Sequence, residues 1–218
     1  MAGIAGVGVA LAAATWIWFR AHGPVRETAL VHDVGGPLLR VTILSSPTDP
    51  RLRPTLEALN HWNSEFGRLQ RRTRLTGLVI IDDSLSDDLL RAASREAPIG
   101  IGPATFRLRA RLAERPTDIV IAFSRTDLIS FSVPWREGGR GMVGLRRADI
   151  LPLSLPNTVR NVVAHELGHV FGLAHNGDVT KLMCGRPASC RPADFASDSA
   201  RFFPLTRSDE QRLTRRWP

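Results

Sequence analysis

An eleven-residue segment that begins at His165 constrains this chain more than any other feature, because it reads H-E-x-x-H-x-x-G-x-x-H. On a helix, His165 and His169 project from one face about one turn apart, so their imidazoles can hold one metal ion. Glu166 lies beside the first histidine, where it can reach a metal-bound water and act as general base. Gly172 permits a left-handed turn that ends the helix and brings His175 back as a third ligand. Three protein ligands and an open fourth position are typical of catalytic zinc.

The alternative for these side chains is a polar helix face that binds no metal. The sequence predicts that Asn157 or Thr158 caps the helix. Apolar residues supply its buried face: Val159, Val162, Val163 and Val170. Burying histidine and glutamate on such a helix without a metal or partners is costly. The pattern therefore favours metal binding.

A methionine follows this segment at a defined distance, since seven residues separate His175 from Met183. The long histidine pattern followed by this methionine resembles the metzincin metallopeptidases, and the short spacing is most similar to their matrixin-like branch. The resemblance covers roughly residues 38–218 and is sharp only from Val163 to Met183. It implies that Met183 lies in a tight turn beneath the metal and is not a ligand. Plain core packing accounts for this methionine equally well.

The fold class that the resemblance implies is α+β, a metzincin-like zincin fold. It consists of a mixed, mostly parallel twisted sheet with one antiparallel edge strand, two long helices that include the active-site helix, and a small C-terminal subdomain with the Met-turn beyond Gly172. The implied activity is that of a zinc-dependent endopeptidase acting on peptides or proteins. His165, His169 and His175 would hold one Zn²⁺, and Glu166 would take the proton of a zinc-activated water and pass it to the leaving amine.

Hydrophobic periodicity predicts the secondary structure along the chain. The resemblance adds that Met142–Leu145 is the strand that pairs antiparallel with bound peptide. Ser208 is the predicted cap of the last helix. The predicted strands are Leu39–Leu44, Leu78–Ile81, Thr117–Phe123, Met142–Leu145 and Ala148–Leu155, and the predicted helices are Arg53–Leu69, Asp87–Arg95 and Thr206–Trp217.

The N-terminal region divides into two predicted segments ahead of a catalytic domain at 38–218. Residues 1–19 contain an uncharged run that ends in Trp-Ile-Trp-Phe. Its length of about 27 Å as a helix approaches the ~30 Å of a bilayer core. We favour a membrane anchor over a cleaved signal peptide, because the usual basic n-region and small-residue cleavage site are missing. Residues 20–37 are polar, contain glycine and proline pairs, and predict a linker.

Two cysteines, Cys184 and Cys190, follow the methionine. They can close a disulfide loop, contribute to an added zinc site, or remain as two buried thiols. A disulfide favours an oxidising compartment, with the catalytic domain outside the cytoplasm, or secreted if the N-terminal segment is cleaved. Arg20 and Arg26 follow the apolar run and indicate the opposite orientation.

The remaining charged features predict no further partner class. Asp82, Asp83, Asp87 and Asp88 form an acidic cluster that could bind structural Ca²⁺, but they match no calcium loop, and a capped loop before a helix explains them better. The formal net charge is +8. No nucleic-acid motif or aromatic-interleaved basic patch accompanies it, so no nucleic acid is expected.

Two other functions fit the same residues. One is a membrane-tethered, zinc-binding interaction domain without catalysis, although an intact Glu166 argues against it. The other is an intracellular, membrane-bound regulator, if the anchor is oriented as its arginines indicate. The redox state of Cys184 and Cys190 discriminates this last possibility, because a native disulfide excludes a reducing compartment.

Overall fold

The computed structural model describes residues 25–28, 36–80, 85–113, 115–136, 139–185 and 199–218. For residues 25–28, 77–80 and 136 it describes only the backbone. The elements in chain order are β1 (Val25–Thr28), β2 (Leu38–Leu44), α1 (Leu52–Arg68), β3 (Arg74–Ile80), α2 (Asp87–Glu96), α3 (Pro103–Ala113), β4 (Ile119–Phe123), β5 (Phe131–Arg136), β6 (Arg140–Leu145), α4 (Pro156–Val170) and α5 (Arg207–Arg216).

The described strands form one mixed sheet in the order β1-β3-β2-β4-β6-β5. The four central strands, β3, β2, β4 and β6, run parallel to one another. Both outer strands run antiparallel to their neighbours, with Val25 opposite Ile80 at one edge and Phe131 opposite Gly144 at the other, whereas the sequence predicts one antiparallel edge strand. The strand β1 lies inside the range 20–37, which the sequence predicts as a linker.

The identity of the cleft-side edge strand corrects the sequence-based prediction. Met142–Leu145 belongs to β6, which pairs with β4 on one side and β5 on the other, so it cannot pair with substrate. The edge strand is β5, which was not predicted as a strand because Pro134 interrupts its pattern. Proline donates no backbone hydrogen bond and is therefore confined to sheet edges. The burial of β6 follows from its inner position.

Helices cover both faces of the sheet and enclose two hydrophobic clusters. Alternate residues of the central strands enter opposite clusters, as Ile43 and Leu44 of β2 do. One cluster joins the sheet to α1, α4 and α5. The other joins the sheet to α2 and α3. The helix α3, which was not predicted, buries Ala104, Leu108 and Leu112 at four-residue spacing.

Three further predictions are wrong at the level of local geometry. The segment Ala148–Leu155 forms successive turns and not a strand, with Leu153 and Leu155 each donating a backbone hydrogen bond three residues back. Helix α4 begins with Pro156 at its first position, so neither Asn157 nor Thr158 is its cap. Helix α5 is capped by Thr206 and not by Ser208. Thr206 and Asp209 exchange hydrogen bonds in a capping box.

An aromatic cluster fixes the position of α4 against α1 and the C-terminal residues. Trp62 of α1 donates from Nε1 to the Ala164 carbonyl of α4 at 3.0 Å. Its ring meets Phe171 edge-on at 4.8 Å between centroids, and Phe66 meets the same ring at 5.3 Å. Trp217 donates to the Phe171 carbonyl at 3.3 Å. The C-terminal end of α4 is therefore held by buried rings on two sides.

Within the described residues, no helix is both long enough and apolar enough to cross a bilayer. The predicted anchor at 1–19 lies outside the described residues, so it stays a prediction.

Replacing Trp62 with alanine is expected to lower the free energy of unfolding by about 3–5 kcal/mol, because the change empties a fully buried site and removes the bond to α4. Urea denaturation followed by circular dichroism measures the loss. The matched truncation Phe106→Ala removes an aromatic ring that is 65% exposed and should change stability by about 0.5 kcal/mol or less. Equal losses in both variants would contradict the assigned role of the cluster.

Candidate active site

The C-terminal end of α4 makes the turn that the motif predicts. The amide of Leu173 donates to the Gly168 carbonyl, and the amide of Gly172 donates to the His169 carbonyl, each at 2.9 Å. These two bonds form a Schellman motif, in which the residue after the cap adopts a left-handed conformation. Gly172 is that residue, with φ +91°. The chain then turns back along the helix, which places His175 beside His165 and His169.

The three histidines converge through their Nε2 atoms. The distance from His165 to His175 is 3.2 Å, from His169 to His165 3.2 Å, and from His169 to His175 3.0 Å. Their exposure is graded, since His165 is buried, His169 half-buried and His175 exposed. The three nitrogen atoms therefore form a small triangle that opens towards solvent on the His175 side.

The opposite ring nitrogens of two histidines face backbone carbonyls. His165 Nδ1 lies 2.8 Å from the Leu182 oxygen, and His169 Nδ1 lies 2.9 Å from the Leu173 oxygen. A carbonyl only accepts, so each Nδ1 must carry the proton, which leaves a lone pair on each Nε2. Burial lowers the pKa of His169, although the hydrogen bond to the Leu173 carbonyl acts in the opposite direction. Lone pairs directed at one another are unfavourable unless a cation lies between them.

This donor set fits a zinc ion. Zn–N bonds of about 2.0–2.1 Å place two corners of a tetrahedron about 3.3–3.4 Å apart, close to the spacing of these nitrogens. Backbone carbonyls that orient the ligating imidazoles are a usual feature around protein metals. Across the described part of the chain, these three residues are the one group of three metal-binding side chains close enough to share an ion.

Glu166 lies at the same cleft, buried on α4 beside the histidines. Burial raises the pKa of its carboxyl group to about 7, while a hydrogen bond from Ser132 acts in the opposite direction. Ser132 belongs to the edge strand β5, opposite Val143. Sequence reasoning missed Ser132, because the strand that carries it was not predicted. Ser132 of the edge strand thus orients the carboxyl group, whose pKa lies near neutral pH.

Met183 lies beneath α4, in the segment that supports the histidines. It is fully buried, and a β-carbon added to Gly168 would approach its sulfur to 2.5 Å. The Met183 carbonyl accepts from the Asn176 amide at 2.8 Å, and Asn176 pairs with Cys184 in an isolated bridge. Cys184 is buried and disulfide-bonded. Cys190, the predicted partner, lies outside the described residues, so this pairing stays a prediction.

A cleft of about 1150 Å³ passes in front of the histidines and Glu166. Its wall includes Phe131, Ser132 and Pro134 of the edge strand. The lining also includes exposed apolar side chains, among them Ile99 and Ile129. The site therefore opens onto an extended groove that runs past a sheet edge.

The acidic cluster divides at the limit of the described residues. Asp82 and Asp83 lie outside them. Asp87 begins α2 and accepts hydrogen bonds from Ser124 Oγ at 2.9 Å and from the Arg125 amide at 3.0 Å. Its carboxylate joins α2 to the chain after β4, and the calcium prediction is not tested by these contacts.

No protein-family model matches the chain, and no curated protein matches it. Among solved structures, it is similar to an archaemetzincin from Methanopyrus kandleri, with 16% identity and a TM-score of 0.49 over 85% of this chain and 98% of that chain. It is also similar to a zinc-dependent peptidase from Methanocorpusculum labreanum, with 14% identity and a TM-score of 0.40 over 80% of this chain and 99% of that chain. A structure described as a chaperone–substrate complex matches 72% of this chain and 29% of its own, with 15% identity and a TM-score of 0.41.

Replacing Gly172 with alanine is expected to lower the free energy of unfolding by about 1–2 kcal/mol, because a β-carbon is unfavourable in the left-handed region. The added carbon would also lie 2.8 Å from the Arg216 guanidinium. Gly177→Ala is the control, since nothing lies within 4 Å of its added β-carbon. Urea denaturation of both variants measures the difference. An equal effect at Gly177 would contradict a specific requirement at the turn.

In the protein stripped of metal by a chelator, Glu166 should make stability fall as pH rises. Its folded pKa of about 7 exceeds the ordinary 4.5, so the folded state holds the proton between these values while the unfolded state has lost it. Relative to Glu166→Gln, the parent should lose about 2–3 kcal/mol of unfolding free energy between pH 4.5 and 7. Urea titrations of both proteins across this range measure it. If the difference in unfolding free energy between the two proteins stays constant with pH, the pKa of Glu166 is not raised.

Proposed function

We propose that this chain is a zinc-dependent endopeptidase of the metzincin kind, as its motif predicts. One observation carries the proposal: three imidazole Nε2 atoms meet beside a buried carboxyl group in the lining of an open groove. A purely structural zinc site would be closed by a fourth protein ligand. Here the described residues provide three, and the open side of the triangle faces the groove.

The histidines would hold the zinc ion through Nε2. When bound, zinc supplies Lewis-acid activation of water and of the peptide carbonyl. His165 and His169 are aligned for this by the Leu182 and Leu173 carbonyls, so they lose little freedom on binding the ion. The turn at Gly172 delivers His175 from the exposed side.

Glu166 would move the proton. Its carboxylate accepts a proton from the attacking water and releases it to the leaving amine, so that one group serves as base and then as acid. A general base works best when its pKa lies near the operating pH, and burial brings the pKa of Glu166 to about 7. Ser132 holds the carboxyl group in place during both steps.

The edge strand β5 would bind the peptide. It is the last strand of the sheet, so its outer backbone groups are available to pair with an extended chain. Ser132 places this edge next to Glu166, which brings the bound peptide bond to the catalytic group. A cleft of about 1150 Å³ exceeds the roughly 300–1,000 Å³ of small-molecule pockets and accommodates several residues of peptide. Met183 would serve as the hydrophobic support beneath the histidines.

Two substitutions separate catalysis from metal binding. The full chain, loaded with one equivalent of zinc, is incubated with a mixed peptide library, and products are read by mass spectrometry. Glu166→Gln should lower turnover by about 10²–10⁴-fold while zinc stoichiometry stays at one, because it removes the proton acceptor and leaves the ligands intact. His169→Ala should lower zinc affinity itself.

Matched controls lie elsewhere in the chain. Glu210→Gln makes the same carboxyl-to-amide change on α5, and His61→Ala removes a histidine outside the triad on α1. Both should retain zinc and cleavage. Undiminished zinc binding in His169→Ala would contradict the ligand assignment. Stoichiometric zinc without cleavage by the parent would favour the non-catalytic binding domain.

A further inference from the structure

A second, smaller pocket of about 160 Å³ lies towards the C-terminal end of β5. The catalytic groove contacts this strand through Phe131, Ser132 and Pro134, and the second pocket contacts the next residue, Trp135. The pocket adjoins the sheet end at which the parallel strands begin, beside Asp118 and the first residue of β6, Arg140. The lining includes Arg40, Arg109, Arg115, Thr117, Trp135 and Arg140.

Four arginines meet in this small pocket, from β2, from α3 and the residues just after it, and from β6, and its described lining contains no carboxylate. The nearest acidic group that is described, Asp118, is already engaged. Its carboxylate accepts the Arg40 amide at 2.8 Å and pairs with the Arg140 guanidinium at 2.8 Å. Asp118 is also 3.7 Å from the Arg40 guanidinium. One buried carboxylate thus serves both Arg40 and Arg140, so these two guanidinium groups share a single described negative charge.

Arg109 gives the clearest indication that the pocket can accept a ligand. Its Nη2 donates to the Pro134 carbonyl of β5 at 2.6 Å, which fixes the guanidinium across the gap between α3 and the sheet. Its Nε is buried and has no hydrogen-bond partner within the described residues. Burial lowers the pKa of this guanidinium, since its charge is poorly solvated. A buried donor left unsatisfied is costly, and the cost is removed if a ligand accepts from it.

We infer that this arginine pocket binds a phosphate-type oxyanion. Arginine forks match the geometry of phosphate oxygens and donate to them bidentately. The pocket, at about 160 Å³, is far smaller than the cleft of about 1150 Å³, so it suits a small tetrahedral anion better than a peptide. The inference is independent of the proposed peptidase, because no described residue that lines this pocket also lines the histidine cleft.

Phosphate chemistry has two sources here, a soluble phosphate and the headgroup of an anionic lipid. The net charge of +8 favours either one at long range. The pocket itself recognises only the oxyanion, so separate binding measurements must identify the source.

Calorimetric titration of the full chain with inorganic phosphate, in chloride buffer of constant ionic strength, tests the inference. The parent should bind one phosphate per chain. Arg109→Gln should weaken the affinity at least tenfold, because it removes the fixed donor fork. Arg53→Gln makes the same charge change on α1, at a residue outside the pocket whose side chain is 89% exposed, and should change the affinity less than twofold.

Three results would overturn the inference: no phosphate binding by the parent, equal binding by Arg109→Gln, or an equal loss in Arg53→Gln. If phosphate binds at the zinc site instead, its affinity should be the same in the parent and in Arg109→Gln, which is the second of these results. Circular dichroism checks the fold of each variant. If Arg109→Gln does not fold, Arg115→Gln takes its place, with the same tenfold loss expected.

Sedimentation with phosphatidylglycerol vesicles, and with phosphatidylcholine vesicles as the neutral reference, identifies the source. Tenfold weaker binding of Arg109→Gln to the anionic vesicles supports a lipid headgroup in the pocket. Equal vesicle binding by parent and variant, together with the calorimetric loss, supports a soluble phosphate.

Discussion

The structure depends on the meeting of three imidazole nitrogens within 3.0–3.2 Å of one another. With Nδ1 protonated on two of the rings, the Nε2 lone pairs converge, and a bound cation removes their repulsion. Two backbone carbonyls set the orientation of these rings, one in the turn after α4 and one in the segment before Met183. The local course of the chain is therefore part of the metal site, although it contributes no ligand there.

The hydrophobic core holds this arrangement in place. Phe171 is the residue that ends α4, and its ring is packed against Trp62, Phe66 and Trp217. The turn that carries His175 thus begins from one of the best-packed positions in the protein. Precise placement of catalytic groups requires such rigid support, since small displacements at the reacting atoms are costly.

Strand β5 connects the two polar sites of the molecule. At one end Ser132 bonds the carboxyl group of Glu166, and further along the strand the Pro134 carbonyl accepts from Arg109. Neither contact could be predicted from the sequence. Pro134 interrupts the strand pattern, so β5 is not evident from the sequence. The partners are also far apart in the chain, and the closer pair, Arg109 and Pro134, is separated by 25 residues. Because β5 is missing from the sequence-based prediction, Met142–Leu145 is predicted as the substrate-binding edge. This segment is an inner strand, since β5 pairs with it on its outer side.

The sequence alone determined the parts that depend on local spacing. It predicted the helix that carries His165, Glu166 and His169, the turn at Gly172, and the central strands, because helical periodicity and glycine conformation act over a few residues. Only the tertiary structure decided which strand lies at the edge, how burial raises the pKa of Glu166, and which arginines share a pocket. These properties depend on groups that are distant in the chain, and a linear pattern carries no information about their distance in space.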